Sequence, residues 1–125
     1  MTPGVLVVDD DPVTRRVLRA MLGAGGERVM CASSADEALA ILETFRPRIA
    51  CIDLHMPGMG GLELIEVMRR RLDRAMPMVV VLTASGDPAD AQRASRHGAD
   101  RYLTKPVSSR EMVALADHAS ESLPR

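Results

Sequence analysis

Short, uninterrupted apolar runs alternate along the chain with segments of helical period. The runs are Val5-Leu-Val-Val8, Val29-Met-Cys31, Ile49-Ala-Cys-Ile52 and Met78-Val-Val-Val-Leu82, with a shorter one at Tyr102-Leu103. Such runs, bounded by polar residues, Pro or Gly, fit strands buried on both faces rather than strands with one wet side. The first helix takes Asp11 as N-cap and Pro12 at its first position, aligns Val13, Val17, Leu18, Met21 and Leu22 on one face, and stops at Gly23. The second opens with a capping box, Ser34 to Glu37, carries Ala38, Leu39, Ile41 and Leu42, and ends before Pro47. A third is predicted over about 62–72, with Leu62, Ile65, Met68 and Leu72 at helical spacing. The fourth opens at Asp87-Pro88, offers mainly Ala91 and Ala94 as its apolar face, and closes at His97-Gly98, which predicts a loosely held helix. The fifth begins with a second box, Ser108 to Glu111, and shows Met112, Leu115, Ala116 and Ala119 on one side. Five strands alternating with five helices predict a doubly wound α/β fold with a parallel sheet.

Composition narrows the class. The 125 residues suffice for one domain, 1–125, with its own core, and 46% hydrophobic against 26% charged residues is an ordinary globular balance. A net charge of -1 supplies no general attraction to nucleic acid or anionic lipid. The basic run Arg69-Arg70-Arg71, with Arg74 beyond it, suits the solvated C-terminal end of the third helix. Cys31 and Cys51 lie inside apolar runs without CxxC spacing, so they are expected as buried free thiols, which suits a reducing, cytoplasmic location. Three aspartates follow Val5–Val8 directly and no apolar stretch approaches the ~18 residues of a membrane span, so neither a leader nor a membrane segment is expected.

Candidate chemistry gathers at the strand ends. The first strand runs into Asp9-Asp10-Asp11, the third stops at Asp53, the fourth at Thr83, and the fifth just before Lys105-Pro106. In a parallel sheet these ends share one edge, and ligands bind in the crevice beyond it. Taken singly, each residue has an ordinary role: Asp11 as a helix cap, Asp53 as the start of a turn, Thr83 as a structural hydroxyl, Lys105 as a solvated cation. Placed together, the carboxylates repel one another unless a cation sits among them. A hard divalent ion with oxygen ligands, Mg²⁺ above all, meets that need. A carboxylate is also a nucleophile towards phosphorus, with the metal, Lys105 and Thr83 available to the oxygens of the transferring group.

Val7-Val8-Asp9-Asp10, Asp53-Leu-His-Met-Pro-Gly-Met59, Thr83-Ala84 and Lys105-Pro106 together resemble the receiver domain of two-component response regulators, across essentially the whole chain. The resemblance implies a flavodoxin-like sheet of order 2-1-3-4-5. It implies that Asp53 accepts a phosphoryl group from a histidine kinase or histidine phosphotransfer protein, and that Asp9, Asp10, Asp53 and the backbone carbonyl of His55 hold Mg²⁺. Lys105 then pairs with the phosphoryl group, Thr83 is the switch hydroxyl and Tyr102 the switch aromatic, although a lone Tyr also fits an amphipathic strand edge. Ala84 leaves room for the phosphoryl group, and the Lys105-Pro106 bond matches one that is cis in the family. His55 and Ser85 stand where family members tune dephosphorylation, and neither is an acid or amide suited to orienting water, so a long-lived phosphoryl group is expected. Gly60 replaces a common Asp, which touches only the cap of the third helix.

Two rivals remain from the sequence. An aspartate-nucleophile phosphatase of the haloacid-dehalogenase kind needs a second Asp two residues after the nucleophile, where this chain has His55. An adaptor that keeps the receiver fold without phosphate control is opposed by the intact set Asp9, Asp10, Asp53, Thr83 and Lys105. The last helix is expected to end near 122–124, which reads either as a stand-alone receiver with a downstream protein partner or as a receiver cut from a longer regulator with a C-terminal output domain. The surface of the fourth and fifth helices, including Met112, Val113, Leu115 and Ala116, is the expected output face. A phosphorylation-dependent dimer is compatible with the resemblance.

Overall fold

In the computed structural model the residues described are 4–84, 86–108, 110, 111 and 114. Five strands, β1 (Gly4–Val8), β2 (Arg28–Ala32), β3 (Ile49–Asp53), β4 (Met78–Thr83) and β5 (Arg101–Thr104), form one sheet. The order is β2-β1-β3-β4-β5 and every neighbouring pair is parallel, so this is the flavodoxin-like arrangement implied by the strand-end motifs. β1 and β3 are buried at every position, and β4 at all but its first, as expected for strands covered on both faces.

Between the strands lie α1 (Pro12–Ala24), α2 (Ala35–Ile41), α3 (Gly61–Leu72) and α4 (Pro88–Arg96), with a 3-10 turn at Asp73–Ala75. The capping chemistry is present: Asp11 accepts from the N–H of Val13, Ser34 from that of Glu37, and Asp87 from that of Ala89. The Ser108–Glu111 box also forms, Ser108 Oγ accepting from the Glu111 N–H at 3.1 Å and Glu111 Oε1 from the Ser108 N–H at 3.2 Å. The rest of the predicted fifth helix, with Met112, Val113, Leu115, Ala116 and Ala119, lies outside the described residues, as does Ser85.

One apolar cluster joins α2, α3 and α4 to one sheet face through Leu42, Leu64, Ile65, Met68 and Ala94; the other joins α1 to the opposite face through Leu18 and Leu22. The expected face of α1 needs correction. Leu18 and Leu22 are buried, whereas Val13 is 63% and Val17 43% exposed. The inward stripe of α1 is therefore narrower than its apolar residues suggest. In α4 the buried residues are Asp90 and Ala94, with Ala91 only half-buried, so the helix does bury little, but one of its two inward positions is a carboxylate. Arg69 is also more than a solvated helix end, because its Nη2 donates to the carbonyl of His97 at 2.8 Å and so ties α3 to the end of α4. Cys31 and Cys51 are both free; Cys31 is half-buried and Cys51 fully buried, where desolvation pushes its thiol up to about 12.

Candidate functional site

The strand-end residues are brought together by the parallel register. Asp9 follows β1 and its N–H donates to the carbonyl of Ala32 at 3.1 Å, which prolongs the β1–β2 ladder by one step. Lys105 follows β5 in the same way, its N–H donating to Thr83 O at 2.7 Å. Asp53 and Thr83 close β3 and β4. Thus four residues far apart in sequence occupy one edge because each stands at or just past the end of a strand whose neighbours all point the same way.

Asp9 is fully buried, Asp53 is 5% exposed and Thr83 is fully buried. Lys105 Nζ lies 2.7 Å from Asp9 Oδ2 and 3.7 Å from Asp53 Oδ1. Its ammonium is held above the ordinary range: desolvation opposes the charge, but the Asp9 contact and the charges of Asp53 and Asp9 more than offset it. One ammonium does not balance the acidic side. Oxygens of Asp9, Asp10 and Asp53 lie within 4.8 Å of one another. Asp53 is pushed up from 3.8 to about 6, first by burial and then by the charge of Asp9, against the pull of Lys105 and of the His55 N–H. Asp9 Oδ2 is fully buried and meets the Lys105 ammonium at 2.7 Å, one ammonium for the three carboxylates. Three crowded carboxylate oxygens with one ammonium among them are suited to a hard cation.

The loop after β3 is shaped by close backbone approaches. The His55 N–H donates to Asp53 Oδ1 at 3.3 Å, and Gly58 has φ +74, open to glycine without strain. At the start of α3 a Cβ on Gly61 would lie 2.3 Å from the carbonyl oxygen of Asp53. Gly60 caps α3 without a side-chain hydrogen bond, in keeping with its replacing a more common Asp. The Lys105-Pro106 bond is cis. Tyr102, on β5, is half-buried and its side chain hydrogen-bonds with Thr83, while burial raises its hydroxyl above the usual range. Asp11 is exposed and serves as the α1 cap, as expected of it.

Two contributors had not been singled out from the sequence. Arg15, on α1, donates from Nη1 to the carbonyl of Asp9 at 2.8 Å and steadies the acidic turn. Asp90, on α4, lies 3.5 Å from His55 Nε2 through its Oδ2. Neither carries a sequence signal: Arg15 is one of several arginines on an amphipathic helix, and an Asp in a first helical turn is ordinary dipole chemistry.

Comparison with known proteins places this geometry in a family. Residues 5–117 match the model of the response regulator receiver domain, so the chain belongs to that family. It is 41% identical over 120 residues to an uncharacterized 14.6 kDa protein of Leptolyngbya boryana, covering 96% of this chain and 92% of that protein. It is 38% identical over 121 residues to the transcriptional regulatory protein AruR of Pseudomonas aeruginosa, covering 93% of this chain but 48% of AruR. The chain thus spans about half the length of that regulator and of the DNA-binding response regulator MtrA of Mycolicibacterium smegmatis. Among solved structures, the chemotaxis protein CheY4 of Vibrio cholerae superposes with a TM-score of 0.87 at 26% identity, covering 95% of this chain and 99% of that one. The receiver domain of NtrX from Brucella abortus gives 0.87 at 28% identity, again over 95% and 99%. The protein is a response regulator receiver domain, and the phosphatase alternative gains no support from these matches. Among the described residues no helix is long and apolar enough to cross a membrane.

Proposed function

We propose that Asp53 is the phosphoacceptor of a single receiver domain spanning the chain, and that its phosphorylation by a histidine kinase or histidine phosphotransfer protein switches the surface around α4 and β5. The observation that carries this is the crevice itself: one lysine ammonium 2.7 Å from Asp9 and 3.7 Å from Asp53, in a site where three carboxylates crowd together. Asp9, Asp10, Asp53 and the carbonyl of His55 are the groups that would hold Mg²⁺. When bound, the ion offsets carboxylate repulsion and polarises phosphoryl oxygens.

Transfer forms a bond from an Asp53 oxygen to phosphorus as the donor's bond to phosphorus breaks, with the electron pair leaving on the donor imidazole nitrogen. Lys105 sits within reach of the product's oxygens, and its charge is secure because both neighbouring carboxylates favour it. Thr83 and Tyr102 supply the conformational side. Their mutual hydrogen bond is one that a phosphoryl oxygen competes for when it draws the Thr83 hydroxyl, freeing the aromatic ring to change its packing. His55 and Ser85 act on the lifetime of the phosphoryl group. A pairing with a histidine kinase is in keeping with the 37% identity to a segment of the sensor histidine kinase AruS of Pseudomonas aeruginosa. Signalling then passes to a protein partner, to a C-terminal output domain or to a second copy of the chain, from a cytoplasmic location and without direct contact to nucleic acid or membrane.

Incubation with acetyl phosphate and Mg²⁺ followed by intact-mass measurement tests the assignment. A single phosphoryl adduct that disappears with a chelator and in Asp53→Ala is expected. An adduct that survives in Asp53→Ala overturns it.

A further inference from the structure

Asp90 is a buried carboxylate that none of these steps uses. It lies in the first turn of α4, where the helix dipole alone would favour an acid. That explains its charge but not its burial, since an Asp serving only the dipole stays in water. Its side chain is 10% exposed and is shared between two cations or potential cations: Oδ1 accepts from Arg93 Nη2 at 2.5 Å, and Oδ2 faces His55 Nε2 at 3.5 Å. The His55 ring, by contrast, is 62% exposed, and the residue is anchored beside Asp53 by its own N–H. The contact therefore runs from the loop after β3, two residues beyond Asp53, to the first turn of α4. The charge of Asp90 also acts on Tyr102, whose hydroxyl it helps to hold above the usual range.

We propose that Asp90 is a positioning residue that sets how long a phosphoryl group stays on Asp53, by holding the His55 imidazole, two residues beyond Asp53, towards α4. This rests on the phosphoacceptor assignment of Asp53. Hydrolysis forms a bond from a water oxygen to phosphorus while the bond from Asp53 to phosphorus breaks; the electron pair returns to the Asp53 carboxylate and the water proton leaves with inorganic phosphate or solvent. The attacking water must reach phosphorus from outside. A ring held towards α4 changes how water approaches the phosphorus. Arg93 supports the arrangement by holding Oδ1 of Asp90.

The test is the decay of the acetyl-phosphate-generated adduct, in Mg²⁺, for the parent, Asp90→Ala, Asp90→Asn, His55→Ala and the Asp90→Ala/His55→Ala pair. Asp90→Ala is expected to speed decay about two- to ten-fold, a barrier change of about 0.4–1.4 kcal/mol. Asp90→Asn, which keeps an acceptor for the ring, is expected to restore part of the parent lifetime. In the His55→Ala background the Asp90 substitution is expected to have no further effect, because its action runs through the ring. Equal acceleration in both backgrounds, or no acceleration in either, overturns the proposal. Should Asp90→Ala fold poorly, the His55 ring nitrogen shifts in the Asp90→Asn protein decide the matter: they move if the two side chains interact in solution, and unmoved shifts overturn it. Failure of the parent to take up a phosphoryl group at all, or uptake that survives in Asp53→Ala, tells instead against the assignment of Asp53.

Discussion

At the scale of the residue, the crevice stores electrostatic tension. Asp53 has its pKa raised from 3.8 to about 6, so in the absence of a divalent ion the folded state holds that proton more tightly than the unfolded state does. The stability this provides is fully present below about pH 4 and is lost as the pH rises through about 6. A change of that size corresponds to about 3 kcal/mol at full value, and solvent screening at the open mouth brings it to about 1–2 kcal/mol. Asp53→Asn is therefore expected to raise the stability of the metal-free protein at pH 8 by about 1–2 kcal/mol and to leave it nearly unchanged at pH 4, as read from urea midpoints. Millimolar Mg²⁺ is expected to raise the thermal midpoint of the parent at pH 8 and to do so far less in Asp53→Asn. A substitution that removes a functional carboxylate and destabilises the fold equally at both pH values would mean that Asp53 serves the fold rather than opposing it.

At the scale of the element, helix starts and stops place the site. α3 approaches Asp53 so closely that Gly61→Ala puts a Cβ 2.3 Å from its carbonyl oxygen, a backbone atom that cannot swing aside. A loss of about 1–3 kcal/mol is expected by analogy with overpacking, together with slower acetyl-phosphate uptake if Asp53 is the phosphoacceptor proposed above, because the shift is passed to it. The opposite sign is expected at Asp73, the residue that ends α3 with φ +45, where a side chain is strained. Asp73→Gly relieves about 1 kcal/mol and should raise the thermal midpoint by several degrees without altering uptake. These two positions mark the limits of reading a sequence. The caps at Asp11, Ser34, Asp87 and Ser108 were legible because a short polar side chain before a periodic apolar run has a local mechanism. The need for Gly61 was read for the wrong reason: Gly58 and the Gly60-Gly61 pair suggest a turn with positive φ, but only Gly58 of the three has it, and Gly61 is required by a backbone brought near by the β3–α3 turn; the strain at Asp73 leaves no mark in residue type.

At the scale of the whole molecule, the parallel sheet does most of the assembly. Strand identity was legible from the apolar runs and strand order from the resemblance to receiver domains, and once the strands are parallel and adjacent, Asp9, Asp53, Thr83 and Lys105 meet with no further information. What the sequence hid is how the far helix is held. α4 buries only Asp90 and Ala94, and the contacts that tie it down among the described residues are largely polar: His55 to Asp90, Arg69 to the carbonyl of His97, and His97 Nε2 to Glu66 Oε1 at 3.1 Å. A helix attached by a small apolar face and surface polar contacts opens at lower free energy than one with a deep core face. α3, which buries Leu64, Ile65, Met68 and Leu72, is the internal standard. Native-state hydrogen exchange is therefore expected to show α4 amides exchanging about ten-fold or more faster than those of α3, a difference of about 1.4 kcal/mol in opening free energy. Arg69→Ala should widen the gap by loosening α4 with little effect on the first turns of α3. On the proposed roles of Asp53, Thr83 and Tyr102, phosphorylation should change α4 protection more than that of α1 or α2. If α4 and α3 exchange alike, the helix is not the low-stability element through which a charge change at the crevice reaches the surface.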